Sequence, residues 1–214
     1  MSRRLPPAAS SSASNRHAGA GRVRIIGGRW RNTRLDVADS PGLRPTGERV
    51  RETLFNWLMP VLPGARVLDL FAGSGALGLE AVSRGAASAV LIERDPKLAA
   101  GLQALVQRLD ASAQVEVRNG DALAWLGQTS QPQFDIAFVD PPFAGDLWPA
   151  VVLALPKVMN DNAWLYLESP RQRGFEPDAQ WLPHRDGASG EVRHALYRRA
   201  AVTLRHESNP STDA

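Results

Sequence analysis

The chain has no cysteine among its 214 residues. Thiolate metal ligands are therefore excluded, as is the cysteine nucleophile that covalent C5-methylation of a pyrimidine ring requires. A reducing compartment suits such a composition. The four histidines, His17, His184, His194 and His206, are scattered without ligand spacing, so no metal is implied. No apolar run approaches the ~20 residues of a membrane span. Lysine is nearly missing too: of 25 basic residues only Lys97 and Lys157 are lysine. Arginine's planar fork suits phosphate oxygens and stacks on bases. The charge is unevenly placed. Residues 1–52 hold 11 arginines and 4 acids, a net +7, while the remainder holds 14 basic and 18 acidic groups, a net −4. A basic front end on a mildly acidic body points to an anionic polymer as partner.

Met1–Gly21 is rich in Ser, Ala, Pro and Arg, has no acid and shows no hydrophobic period, which predicts a disordered tail. It has no apolar h-region and so is not read as a secretory signal; a transit peptide shares the composition but needs an amphipathic period that is absent here. The pattern is lost again after Arg199, and 201–214 is expected to fray. Between the tails, 22–60 is expected to form a basic hairpin and helix, and 61–200 the main domain. Val23–Ile26 and Arg34–Val37 read as strands around a Gly27-Gly28 turn. This ribbon interleaves Arg24, Arg29 and Arg31 with Trp30, a surface suited to single-stranded RNA. Arg44, before Pro45, and Arg49 extend the set of candidate RNA contacts. Thr46 is the expected N-cap of a helix whose Leu54 and Trp57 face the core.

The stretch Arg66–Glu80, RVLDLFAGSGALGLE, organises the rest. A short buried strand turns through Gly73, Gly75 and Gly78 into a helix over Ala76–Ser83, a place where nucleotide-like cofactors bind. Gly73-Ser-Gly75-Ala-Leu-Gly78 satisfies G-x-G-x-x-G, and Glu93 closes the next strand with a carboxylate for a ribose. Those features alone support NAD about as well as S-adenosylmethionine (SAM). Two others favour SAM. Asp69, at the strand end, is placed to hold the amino group of a methionine moiety. Asp140-Pro141-Pro142-Phe143 ends a later strand, where a dehydrogenase has no use for it. Asp121, after Asn119-Gly120, can accept from an adenine amino group or simply cap a helix. Phe71 and Ala122 complete the candidate cofactor set.

From Arg66 onward strands and helices alternate. Strands are expected near Arg66–Leu70, Ala89–Glu93, Gln114–Arg118, Phe134–Val139 and Ala163–Glu168. Helices are expected near Ala76–Ser83, Pro96–Leu109, Asp121–Leu126 and Leu147–Leu155. That rhythm means an α/β fold with a mostly parallel sheet covered on both faces. Trp181–Asp186 and Val192–Arg198, flanking Gly187–Gly190, break it with an antiparallel hairpin, giving a seven-stranded sheet. Asp140–Phe143 suggests the reaction. An exocyclic base amine is a poor nucleophile because its lone pair is delocalised. The Asp140 carboxylate and Pro141 carbonyl can accept its hydrogens, Pro142 stiffens the turn, and Phe143 can stack on a base taken out of its helix.

These motifs resemble the bacterial 16S rRNA (guanine966-N2)-methyltransferases over about residues 22–199. The likeness rests on Arg24-Ile-Ile-Gly-Gly-Arg-Trp-Arg31, Gly42–Glu52 with Thr53-Leu-Phe-Asn-Trp-Leu58, Asp69–Glu80, Ser83-Arg-Gly-Ala86, Phe134–Phe143, Tyr166-Leu-Glu-Ser169, and Gly190-Glu191 before Leu196-Tyr197. It implies a class I SAM-dependent methyltransferase (Rossmann-like) fold with an RNA-contacting hairpin, acting in the cytoplasm on 16S rRNA of the small ribosomal subunit or its precursor; a monomer is expected. It further implies SAM binding by Asp69, Gly73, Gly75, Glu93 and Asp121, and guanine binding by Asp140–Phe143. Two features depart from the family pattern: Gln103–Gln107 lacks an Asn often found after the Glu93 strand, and Met1–Gly21 has no counterpart. Adenine-N6 methylation of DNA or RNA, and a SAM-binding assembly factor without turnover, are the alternatives.

Overall fold

The computed structural model describes residues 23–35, 47–128, 131 and 133–200. Two short strands, β1 (Val23–Arg24) and β2 (Arg34–Leu35), pair antiparallel at the front, followed by α1 (Glu48–Leu58). The main body alternates β3 (Arg66–Asp69), α2 (Ala76–Ser83), β4 (Ser88–Glu93), α3 (Pro96–Arg108), β5 (Val115–Asn119), α4 (Ala122–Gln128), β6 (Phe134–Val139), α5 (Trp148–Ala154) and β7 (Met159–Pro170). It closes with β8 (Trp181–Ser189) and β9 (Val192–Arg199).

The seven body strands form one sheet in the order β5-β4-β3-β6-β7-β9-β8. The first five are mutually parallel, and β9 pairs antiparallel with both β7 and β8. Strand order reverses between β3 and β6, so the crevice for a ligand lies beyond the carboxyl ends of these two strands. Each face of the sheet has its own core. Val67, Ile136, Phe138 and Tyr166 pack under α1, α2 and α3, while Leu68, Ala137, Val139 and Leu167 pack under α4 and α5. Near-continuous apolar runs in the central strands follow from burial on both sides. The front segment shares the first core through Ile25, fully buried, and through Leu54, Phe55 and Leu58 of α1. Trp57, also expected to face inward, is half-buried against that cluster.

Three local expectations are corrected. Among the described residues the front ribbon pairs Val23–Arg24 with Arg34–Leu35, the expected end of its second strand lies outside them, and Gly27-Gly28 open a longer loop rather than forming a tight turn. Gly28 instead adopts φ +76° against α2, where a Cβ would stand 1.8 Å from the Ser83 carbonyl oxygen. Ser83 receives the Arg29 and Trp30 amides on its carbonyl and hydroxyl oxygens, 2.9 Å each, and donates its hydroxyl to the Gly27 carbonyl at 2.7 Å. The N-cap of α1 is Gly47 without a side-chain cap, and the expected Thr46 lies outside the described residues. In the closing hairpin, β8 runs through Gly187 to Ser189, leaving Gly190-Glu191 as the turn. Gly190 has the positive φ, +57°, whereas Gly187 faces the His194 ring, with room for no Cβ.

Candidate active site

The site is assembled by strand register. Asp69 on β3 pairs with Leu91 on β4 and Phe138 on β6, and Glu93 pairs with Asn119 on β5. The carboxyl ends of four adjacent parallel strands thus bring Asp69, Glu93, Asp121 and Asp140 to one edge of the sheet.

Between β3 and α2 the chain turns through two left-handed glycines, Gly73 at φ +52° and Gly75 at φ +74°. A Cβ on Gly75 would meet Leu102 at 2.6 Å, so the turn is packed as well as strained for any other residue. Glu93 closes the turn from the side. Its Oε2 accepts the Gly73 amide at 2.8 Å and its Oε1 accepts the Asp95 amide at 2.7 Å. The end of β5 is tied to the same place, with the Asn119 side-chain amide donating to the Glu93 carbonyl at 2.9 Å. Asp121 accepts the Ala124 amide at 3.0 Å and caps α4, whose first residue is Ala122. Phe71 is half-buried at the mouth.

Asp69 is buried, and its Oδ2 accepts the Gly78 amide of α2 at 3.0 Å. Burial raises its pKa to about 7, against the opposing backbone hydrogen bonds from Gly78 and Phe71 and with a smaller push from the Glu93 charge. The folded protein therefore holds a proton that the unfolded chain releases near pH 3.8. Folded-state proton uptake makes this contribution to stability greatest in acid and lost as pH rises through about 7. Asp69→Asn keeps an acceptor for Gly78 and removes the charge. It is expected to raise stability by about 4 kcal/mol at pH 8 and very little at pH 4. Denaturant melts of both proteins at the two pH values check this; a pH-independent difference contradicts it.

At the end of β6, Asp140 is half-buried, Pro141 buried and Pro142 exposed. Phe143, 41% exposed, opens a short 3-10 turn over Phe143–Gly145, its ring centroid 5.8 Å from that of Trp148. An aromatic exposed next to a carboxylate is fit to stack on a planar group. Two surface depressions of about 550 and 580 Å³ lie elsewhere, one along Ser88–Val90 and Gln114–Val117, the other around Val61–Ala65 and Trp164. Neither is lined by any carboxylate of this edge. Among the described residues no group of three or more His, Asp or Glu could hold a metal ion, and no helix is long and apolar enough to cross a membrane.

The front arginines divide. Arg24 is bound by both Glu48 oxygens at 3.0 and 3.1 Å. Arg29 donates to the Gln114 side chain and lies 4.1 Å over the Trp30 ring, which is itself half-buried. Arg31 and Arg49 are exposed, and Arg44 lies outside the described residues. Sequence reasoning missed a buried cluster beneath them. Arg51 and Glu80, both fully buried, pair at 2.8 Å, and Arg84 holds the other Glu80 oxygen at 2.7 Å. A charged residue on the apolar face of each helix, Arg51 in α1 and Glu80 in α2, was the available signal.

The family model described as conserved hypothetical protein 95 matches residues 23–198. The chain belongs to that family. It is 47% identical over 194 residues to ribosomal RNA small subunit methyltransferase D of Escherichia coli K12, covering 86% of this chain and 94% of the relative. The solved structure of yhhF from Escherichia coli is 44% identical with a TM-score of 0.77, covering 85% of this chain and 99% of that one. A Geobacter sulfurreducens methyltransferase, 14% identical with a TM-score of 0.56 over 73% of this chain and 80% of its own, shares the fold. The family and the sheet order together make this a class I SAM-dependent methyltransferase, and its cofactor is S-adenosyl-L-methionine. The residues fit that group. Glu93 uses one lone pair on each oxygen for a backbone amide, and a carboxylate accepts at about four sites, so a ribose diol still finds acceptors.

Proposed function

We propose that this protein transfers a methyl group to the exocyclic N2 amine of a guanine, position 966, in 16S rRNA of the small ribosomal subunit or its precursor, acting as a cytoplasmic monomer. The observation that carries the reading is the placement of Asp140-Pro-Pro-Phe143 at the end of β6, beside the glycine turn of β3, in a chain 47% identical to a ribosomal RNA small subunit methyltransferase D. Glu93, Asp121 and Ala122, with Asp69, Phe71, Gly73 and Gly75, are the residues proposed to hold SAM. When bound, SAM supplies a methyl group on a sulfonium whose neutral thioether leaves readily, so no covalent enzyme intermediate is needed.

The chain's work is then positioning and electrostatics. Asp140 and the Pro141 carbonyl accept the two amine hydrogens and draw the nitrogen out of conjugation with the ring. Proline at 141 and 142 fixes the backbone and brings no competing N–H. Phe143 stacks on the extruded base. The front segment 22–60 holds RNA through Arg24, Arg29, Trp30, Arg31, Arg44 and Arg49, in the role proposed for it as the RNA-contacting unit ahead of the catalytic body.

The RNA-contacting reading has a direct test. With about four phosphate contacts, log affinity falls with log salt at a slope near −3, since each contact on a single strand contributes ~0.7. Replacing Arg29 and Arg31 by Gln is expected to reduce that slope by about 1.4 while SAM affinity holds. Filter binding over a salt series measures it, and an unchanged slope removes the hairpin from the RNA interface.

A further inference from the structure

A second acid stands beside Asp140. Val139 and Leu167 are register partners in the parallel pair β6–β7, so the next residues along, Asp140 and Glu168, lie at neighbouring strand positions. Alternation along the strands turns both toward the face that carries Phe138 and Tyr166, under α1. The Tyr166 phenol senses both: its pKa is raised well above the ordinary value by burial first, then by Glu168 and by Asp140.

Glu168 is buried and held from two sides. Tyr166 donates its hydroxyl to Oε1 at 2.7 Å, and the Trp148 indole N–H donates to the Glu168 carbonyl at 2.7 Å. The next strand adds an independent observation. His194, register partner of Glu168 on β9, is 5% exposed and stacks on Trp57 at 5.7 Å. Its Nδ1 is buried with no hydrogen-bond partner among the described residues. An orphaned, buried ring nitrogen on the strand next to Glu168 is a polar group left for a bound partner to complete.

Guanine's Watson–Crick edge presents the N2 amine and N1–H as donors, then O6 as an acceptor. Adenine and other purines lacking the N1 proton present an acceptor at N1. We infer that Glu168 accepts the N1–H of the target guanine, next to the amine held by Asp140, and so selects guanine against purines whose N1 is an acceptor. Resting on the guanine-N2 reading, the assignment adds the group that makes the site specific for that base. A base with an N1 lone pair would set that lone pair against a carboxylate, and sites built to hydrogen-bond a donor reject analogues without it strongly.

The test uses small-subunit particles reconstituted with guanine or 2,6-diaminopurine at the target position. The analogue keeps the 2-amino group, carries an acceptor at N1 and has an amino group in place of O6, so the change of ratio in Glu168→Gln is what isolates the N1 contact. The wild-type enzyme is expected to prefer guanine by about tenfold or more in kcat/KM, in line with one specific base contact. Glu168→Gln, whose amide can donate to N1, is expected to narrow the preference to within about threefold. A merely structural role for Glu168 would lower both rates and leave their ratio alone. Equal wild-type rates on the two bases overturn the inference without any variant, as does an unchanged ratio in Glu168→Gln. If guanine is methylated without discrimination, only the Glu168 assignment falls; if neither base accepts methyl at N2, the guanine-N2 reading falls with it.

Discussion

Asp140→Ala is expected to slow methyl transfer by at least about a hundredfold while leaving affinity for SAM and for RNA within about twofold. The effect is large because the substrate's amine donates its lone pair to the ring in the ground state. Acceptors aimed at its hydrogens help most when the nitrogen becomes tetrahedral, so their loss falls on kcat. Asp140 sits at a strand end whose backbone is fixed by pairing of β6 with β3 and β7, and Pro141 and Pro142 stiffen the turn beyond it. The alanine variant should therefore keep the turn's shape. Asp140→Asn preserves one acceptor and is expected to fall between alanine and the wild type. Single-turnover transfer with tritiated SAM, beside calorimetric SAM binding and RNA filter binding, measures all three. Full activity of Asp140→Ala would refute the role.

Arg51→Met is expected to destabilise the protein by about 3–5 kcal/mol, the range for removing one partner of a buried ion pair. For a chain of this size that lowers Tm by roughly 6–20 °C. Arg51 is fully buried on α1, with one nitrogen on Glu80 at 2.8 Å and another on the Arg24 carbonyl at 2.9 Å. Glu80 also takes Arg84 at 2.8 Å and the Ile26 amide at 3.3 Å. One side chain of α2 thus binds α1, the front segment and its own C-terminal turn. Removing Arg51 loosens all three joints and leaves Arg84 to balance the Glu80 charge alone. The double variant Arg51→Met/Glu80→Met removes the buried charge as well and is expected to recover part of the loss. Thermal melts of the three proteins check both statements. A shift of under 2 °C for Arg51→Met would show that the pair contributes nothing net.

The two faces of the site were unequally legible in the sequence. β6 at Phe134–Val139 and α2 at Ala76–Ser83 have the expected bounds, because each is an apolar run closed by residues that stop it. β7 begins at Met159, four residues ahead of the expected Ala163, since Asp161 and Asn162 are exposed polar residues in a strand that has already begun pairing. Acids at strand ends could be read as a set because each comes after an apolar run. Their bonding could not. The Gly73 amide on Glu93 joins residues 20 apart, and the Arg51–Glu80 contact joins residues 29 apart. Glu168 stood in a family motif and His194 among the scattered histidines, but neither could be placed near the site, because only the sheet order puts β7 beside β6 and β9 beside β7. Local pattern marks where strands stop; register decides which side chains then meet.

The most direct measurement incubates the purified protein and tritiated SAM with small-subunit particles from cells lacking this enzyme, digests the rRNA to nucleosides and resolves the label. The account predicts radioactivity in N2-methylguanosine of 16S rRNA. Label confined to adenosine, or particles left unlabelled by protein that binds SAM, would contradict it.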